Sequence, residues 1–241
     1  MQTKNLELLK EQIIQIYNEY SNDLEYSRLE SECKGNFYEA ESRFLYSILR
    51  HIKPSIVLEM SPNYGFTSKI ILEALNKNDI ESKLYSFDIH ANSLEYDKKE
   101  GLIQRELIVG DGQKTLDDSF LEKADFFLID SDHSYGFGKW YSEKIKKLKK
   151  GTLIMIHDWP MFESNGACDN IVPEYTQPFY KEYVWNLEVM AVKNFAIRKN
   201  IIYPILNVTD FLKETNKPYY YTHEGNIQYK ALSPSQILIK L

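Results

Sequence analysis

Asp130, Asp132 and His133 stand close together at the end of an apolar run, ADFFLI, at 124–129. Two carboxylates and an imidazole at that spacing can hold a metal ion, take a proton from a nucleophile, or simply end a strand in solvent. An imidazole with an ordinary pKa of about 6.5 accepts a proton near neutral pH, and a carboxylate beside it helps. His157 and Asp158 repeat the combination after a second apolar run, GTLIMI. Histidines and carboxylates together could also ligate iron or zinc. That set would suit a metal-dependent hydrolase or oxygenase using Asp130, His133, His157 and Asp158.

These groups are positioned by an alternating pattern. SIVLEM (55–60), KLYSFDIH (83–90), ELIVGD (106–111), ADFFLID (124–130) and GTLIMIHD (151–158) are short apolar runs separated by helix-length segments. Near-continuous apolar strands alternating with helices predict an α/β fold, a Rossmann-like, mostly parallel sheet with helices on both faces. In such sheets ligands bind beyond the carboxyl ends of the strands, where this chain puts Glu59, Asp88, Asp111, Asp130 and Asp158. Residues 1–54 read as an N-terminal helical cover. Leu6, Leu9, Ile13, Ile16 and Tyr20 share one helical face, and a second helix carrying Phe44, Leu45, Ile48 and Ile52 is stopped by Pro54. Residues 55–158 form the core, and 159–241 belong to the same domain as substrate pocket and closing strands. Within that last part, Trp185, Val189, Val192 and Ala196 have helical spacing. YYYTHEGNIQYKAL (219–232) predicts a hairpin around Glu224-Gly225-Asn226, and QILIKL a final strand.

The stretch VLEMSPNYGFTSKII (57–71) combines a strand, a tight turn and a helix start, which is a nucleotide-like binding geometry. The dinucleotide glycines are absent: Ser61 takes the place of the first, and Gly65 remains. A pyrophosphate needs a closer backbone approach than that. A cofactor without phosphate, carrying an amino-acid tail and a nucleoside, tolerates such a turn better. An ordinary strand–turn–helix stays open as the alternative. An acid ending the second strand, Asp88, is the usual acceptor for ribose hydroxyls, and Asp111 is placed to accept from an adenine amino group.

VLEMSPNYGFTS, LYSFDIH, IVGDGQ, FFLIDSDHSY and GTLIMIHDW occur in that order over 55–158. Together they resemble the core of class I S-adenosylmethionine-dependent methyltransferases, most of all the small catechol and caffeoyl-CoA type O-methyltransferases and their bacterial relatives. The resemblance implies that Glu59, Ser61, Tyr64 and Gly65 line the methionine side of S-adenosylmethionine. Asp88 would hold the ribose, Ile89 would lie against the adenine, and Asp111, Gly112 and Gln113 would close the adenine end. Asp130 falls on a metal-binding aspartate that also borders the cofactor, and His133 falls on a general-base lysine. His157-Asp158 replaces an Asp-Asn pair. The implied catalytic set is thus His133, Asp130 and His157, with Asp130, His157 and Asp158 as ligands for a divalent metal such as Mg. Mg²⁺ prefers oxygen ligands, so the histidine counts against it.

The expected activity is methyl transfer to a hydroxyl on a sugar or other small metabolite, with N-methylation left open. A protein that binds S-adenosylmethionine without turnover is the alternative within the fold. Composition narrows the partners. Over 241 residues the net charge is −6 and the pI about 5.5, which disfavours nucleic acid. The basic run KIKKLKK (144–150) then reads as a solvated helix face. The chain contains no apolar run long enough for a membrane span, and Cys33 and Cys168 share no metal-type spacing. A cytoplasmic protein with a small-molecule acceptor follows, and the amphipathic N-terminal helix makes a homodimer reasonable.

Overall fold

The computed structural model describes residues 15–33, 37, 39–93, 99–131 and 135–157, and beyond these the strand residues 206–207, 219–223, 227–231 and 237–240. The helical residues 15–20 (α1) lead through a short 3-10 turn, Ser21–Asp23, to α2 (Tyr26–Glu32) and α3 (Glu39–Ile52). Then follow β1 (Ile56–Met60), α4 (Phe66–Asn78), β2 (Ser82–Asp88), β3 (Lys99–Glu100) and β4 (Ile103–Val109). Two one-turn helices, α5 (Gly112–Thr115) and α6 (Asp118–Leu121), precede β5 (Phe126–Ile129), α7 (Tyr135–Ile145) and β6 (Leu153–Ile156). β7 (Leu206–Asn207), β8 (Tyr219–His223), β9 (Ile227–Ala231) and β10 (Ile237–Lys240) complete the set.

The main sheet has the order β3-β4-β2-β1-β5-β6-β10-β7. Its centre, β4-β2-β1-β5-β6, is parallel throughout. β10 runs antiparallel to β6 and to β7. The Rossmann-like expectation therefore holds, and so does the final strand in QILIKL. β8 and β9 pair antiparallel on either side of 224–226, as the hairpin pattern predicted, but in a separate two-stranded sheet. The helical spacing at 185–196 lies outside the described residues.

β5 shows why the central strands read as unbroken apolar runs. Phe126 and Leu128 join the core under α3 and α4, whereas Phe127 and Ile129 join the core under α7, and all four are buried. Each fully buried side chain of this size contributes about 1.5–3 kcal/mol. On α7, Phe137, Tyr141 and Ile145 repeat every fourth residue and cover that second face. The basic run leaves the helix after Ile145, and its lysines spread over carboxylates: Lys144 and Lys147 meet Asp118, Lys149 meets Asp125.

β4 begins at Ile103, earlier than the apolar run at 106–109 suggested. The disguise is Arg105, a charged residue inside the strand that is 2% exposed. From β1 the chain winds outward through β2 and β4, and later returns through β5 and β6 on the other side. The reversal falls between β1 and β5, and in such sheets ligands bind at that point, in the crevice outside the carboxyl ends of the strands. Among the described residues no helix is long and apolar enough to cross a membrane.

Candidate active site

The turn between β1 and α4 is wound tightly by three residues in the left-handed region, Ser61 (φ 59°), Asn63 (φ 50°) and Gly65 (φ 85°). For Ser61 that conformation costs about 1–2 kcal/mol relative to the right-handed one, which is why a glycine would be expected there. The winding turns backbone amides toward β2: Ser61 donates to the Phe87 carbonyl at 2.8 Å and Asn63 to Asp88 Oδ2 at 2.9 Å. The Ser61 hydroxyl donates to Ser131 Oγ at 2.7 Å, which ties the turn to the end of β5. Gly65 is the N-cap of α4 and brings no side chain to its first amides, and a helix start favours an anion.

Asp88 ends β2, and its other oxygen accepts the His90 amide at 2.9 Å. A carboxylate offers roughly four lone-pair sites, so both oxygens keep capacity for further donors. Next to it the surface is apolar. Ile89 is 65% exposed and Tyr64 47%, while Val109, paired across from Asp88, is 50% exposed. An open apolar shelf beside a fixed acceptor suits a ligand with a flat face and hydroxyls.

Asp111 lies two residues beyond β4 and caps α5, accepting the Gln113 amide at 3.0 Å and pairing with Lys114 at 3.2 Å. Gln113 is exposed beside it. Gly112 lets this helix approach β1: a Cβ there would stand 2.4 Å from Met60 Cε.

Glu59 is the penultimate residue of β1. It does not end its strand at the opening but sits inside β1, 0% exposed, on the α4 face. Its carboxylate accepts hydroxyls from Thr67, Ser68 and Ser86, each at 2.6 Å. Ser68 in turn accepts from Arg105 Nη2 at 3.2 Å. Arg105 also donates to the Ser93 carbonyl at 2.6 Å and to Ser93 Oγ at 2.8 Å. Glu59 and Arg105 are thus a buried acid and base bridged by one hydroxyl. They bind β1, α4, β2, β4 and the segment after Asp88 into one block. Arg105 had a signal in the sequence, a charge interrupting a strand, but its role needed the tertiary neighbours.

Asp130 follows β5 with its side chain 27% exposed, and Oδ1 lies 3.2 Å from His157 Nδ1. His157 continues β6, donating its amide to the Ile129 carbonyl at 2.9 Å. Its ring stacks on Phe37, with centroids 4.6 Å apart, and Nε2 is 3.2 Å from Glu41 Oε2. Sequence reasoning named Asp130 and His157 but not their neighbours Glu41 and Phe37, which arrive from the N-terminal cover. Asp132, His133 and Asp158 lie outside the described residues.

Both ring nitrogens of His157 face carboxylates, and among the described residues there is no group of three metal-type ligands. Asp158, the third ligand that the resemblance implies, lies outside the described residues.

Residues 59–159 match a family model described as a methyltransferase domain. No curated protein matches the chain in sequence. Among solved structures, the chain is similar to a putative O-methyltransferase from Klebsiella pneumoniae at 11% identity, with 96% of this chain and 89% of that one covered and a TM-score of 0.52. It is similar also to cofactor-bound Rv0187 from MTB, at 12% identity, 88% and 84% coverage and a TM-score of 0.51. At such identities the likeness is one of fold, and it spans most of the chain. Residues 59–159 are thus similar to a methyltransferase domain, set in a fold shared with these two structures.

Proposed function

We propose that the protein transfers a methyl group from S-adenosylmethionine to a hydroxyl oxygen of a small metabolite, a sugar hydroxyl among the candidates. The observation that carries this reading is Asp88. Two backbone amides fix its carboxylate at the end of β2, with the exposed Ile89 and Val109 beside it. That surface suits a nucleoside, with ribose hydroxyls on Asp88 and the base on the apolar shelf, closed by Asp111 to Gln113. The wound turn at Ser61–Gly65 and the start of α4 suit the amino-acid tail of the cofactor. The likeness in fold to the Klebsiella pneumoniae protein, a putative O-methyltransferase, supports oxygen as the acceptor atom.

When bound, the cofactor supplies a methyl group activated by its sulfonium. Transfer is an in-line displacement: the sulfur–carbon bond breaks as the oxygen–carbon bond forms, so alignment supplies most of the acceleration. The acceptor hydroxyl must also lose a proton. His133, three residues after Asp130 in sequence, is the proposed base, and Asp130 the carboxylate that orients the acceptor and borders the cofactor.

Calorimetric titration with S-adenosylhomocysteine, with and without EDTA, tests the cofactor half. The expected outcome is micromolar binding that survives chelation and disappears in Asp88→Ala. Transfer of labelled methyl to a panel of hydroxyl and amine acceptors tests the other half. Absence of binding under every condition would sink the methyltransferase reading, and label on amines alone would replace oxygen by nitrogen. Binding without transfer to any acceptor would favour a non-catalytic binding protein.

A further inference from the structure

Glu41 is 1% exposed, a carboxyl buried in α3 far from the acids at the strand ends in sequence. It has a specific neighbour. Glu41 Oε2 lies 3.2 Å from His157 Nε2, and the opposite ring nitrogen lies 3.2 Å from Asp130 Oδ1. Phe37, from the segment just before α3, stacks on the ring and holds its plane. The His157 backbone is itself clamped to β5 through the Ile129 carbonyl. The ring is therefore held by a hydrogen-bond contact to Asp130, an ion-pair approach to Glu41 and the Phe37 stack. Of the three polar groups, only Asp130 reaches the opening, with 27% of its side chain exposed against 8% for His157 and 1% for Glu41.

We propose that Glu41 is a positioning residue for methyl transfer: it orients His157, and His157 presets the Asp130 carboxylate at the crevice. The proposal rests on the methyltransferase reading for what Asp130 does, but not for the contacts themselves. Its physical content is second-neighbour orientation. A histidine held beside a buried carboxylate on one side and stacked on an aromatic ring presents its other nitrogen in one direction, so Asp130 meets the cofactor and acceptor in a preset geometry and not as a free rotor. It also gives the N-terminal cover a part in the site, since α3 supplies the anchor.

The full chain serves for the test, in four forms: wild type, Glu41→Gln, Asp130→Asn and the double variant. Glu41→Gln keeps the shape of the buried side chain. S-adenosylhomocysteine titration is expected to show about fivefold weaker binding for Glu41→Gln in the wild-type background and no further loss in the Asp130→Asn background, as for coupled neighbours. Equal losses in both backgrounds, or none in either, overturn the proposal. Nitrogen-15 spectra of the imidazoles, with His157 assigned by its disappearance in His157→Gln, read the contacts without ligand. Glu41→Gln should move both ring nitrogens of His157, the far one through its altered contact with Asp130. An unmoved pair overturns the relay. If the wild type fails to bind S-adenosylhomocysteine while both nitrogens move, the methyltransferase reading falls and the relay stands.

Discussion

Glu59→Gln separates a buried anchor from a ligand contact. The Glu59 carboxylate takes three hydroxyl donors at 2.6 Å with no solvent exposure. An amide can keep its carbonyl on Thr67, but its NH₂ then meets Ser68 and Ser86, both of which donate toward that oxygen. Ser68 already accepts from Arg105, so accepting from the amide as well would use its second lone pair and leave its own hydrogen without the Glu59 oxygen. Two charge-assisted hydrogen bonds are lost, each worth about 1.5–3 kcal/mol, and a buried guanidinium loses its counter-charge. Allowing for rotation of Ser86, the expected loss of stability is about 3 kcal/mol. Guanidinium denaturation at unchanged m-value measures it. Arg105→Met should cost less in the Glu59→Gln background than in the wild type, because the two charges offset each other. A loss below about 1 kcal/mol together with a large drop in S-adenosylhomocysteine affinity would refute the reasoning and return Glu59 to the cofactor.

Three further outcomes follow from local geometry. Because Ser61 sits at φ 59°, Ser61→Gly should be more stable than Ser61→Ala by about 1 kcal/mol, the reverse of the order at a helical position; thermal or chemical denaturation of the two decides it. Ile89→Ser should leave stability within about 0.5 kcal/mol, since the side chain is 65% exposed, yet weaken S-adenosylhomocysteine about tenfold by removing apolar contact. Unchanged affinity in that variant would place the base elsewhere. Burial works to raise the Asp125 carboxyl, but the Lys149 ammonium and the amides of Ile56 and Ser55 outweigh it and hold it below its ordinary value. A depressed folded pKa stabilises above the unfolded value of about 3.9 and is lost as pH falls through the folded one. Asp125→Asn should therefore flatten the acid limb of stability against pH, which denaturation between neutral and acidic pH can measure.

The parallel core was legible because two buried faces impose a pattern that composition displays. β1, β2, β5 and β6 read directly as apolar runs, and the segments between them had helix length. β4 was read short because Arg105 breaks its run, and a buried charge looks like an exposed one until its partners are known. The same ambiguity attaches to Glu59. An acid near a strand end is compatible with solvent, with a ligand or with three hydroxyls, and only the positions of Thr67, Ser68 and Ser86 choose among them.

The sequence by itself determined the order of strands and helices along the chain, the tight turn from Ser61 to Gly65, and the placement of Asp88 at a strand end. These depend on near neighbours and on side-chain period, which one chain read in one direction contains. Tertiary structure alone decided that Asp130 and His157 are joined to Glu41, and that Glu59 faces Arg105 through Ser68. Those contacts bring together residues from α3, β5 and β6, or from β1, α4 and β4. No local pattern encodes such a meeting, because a buried polar group is stabilised by whatever partner the fold carries to within hydrogen-bond reach.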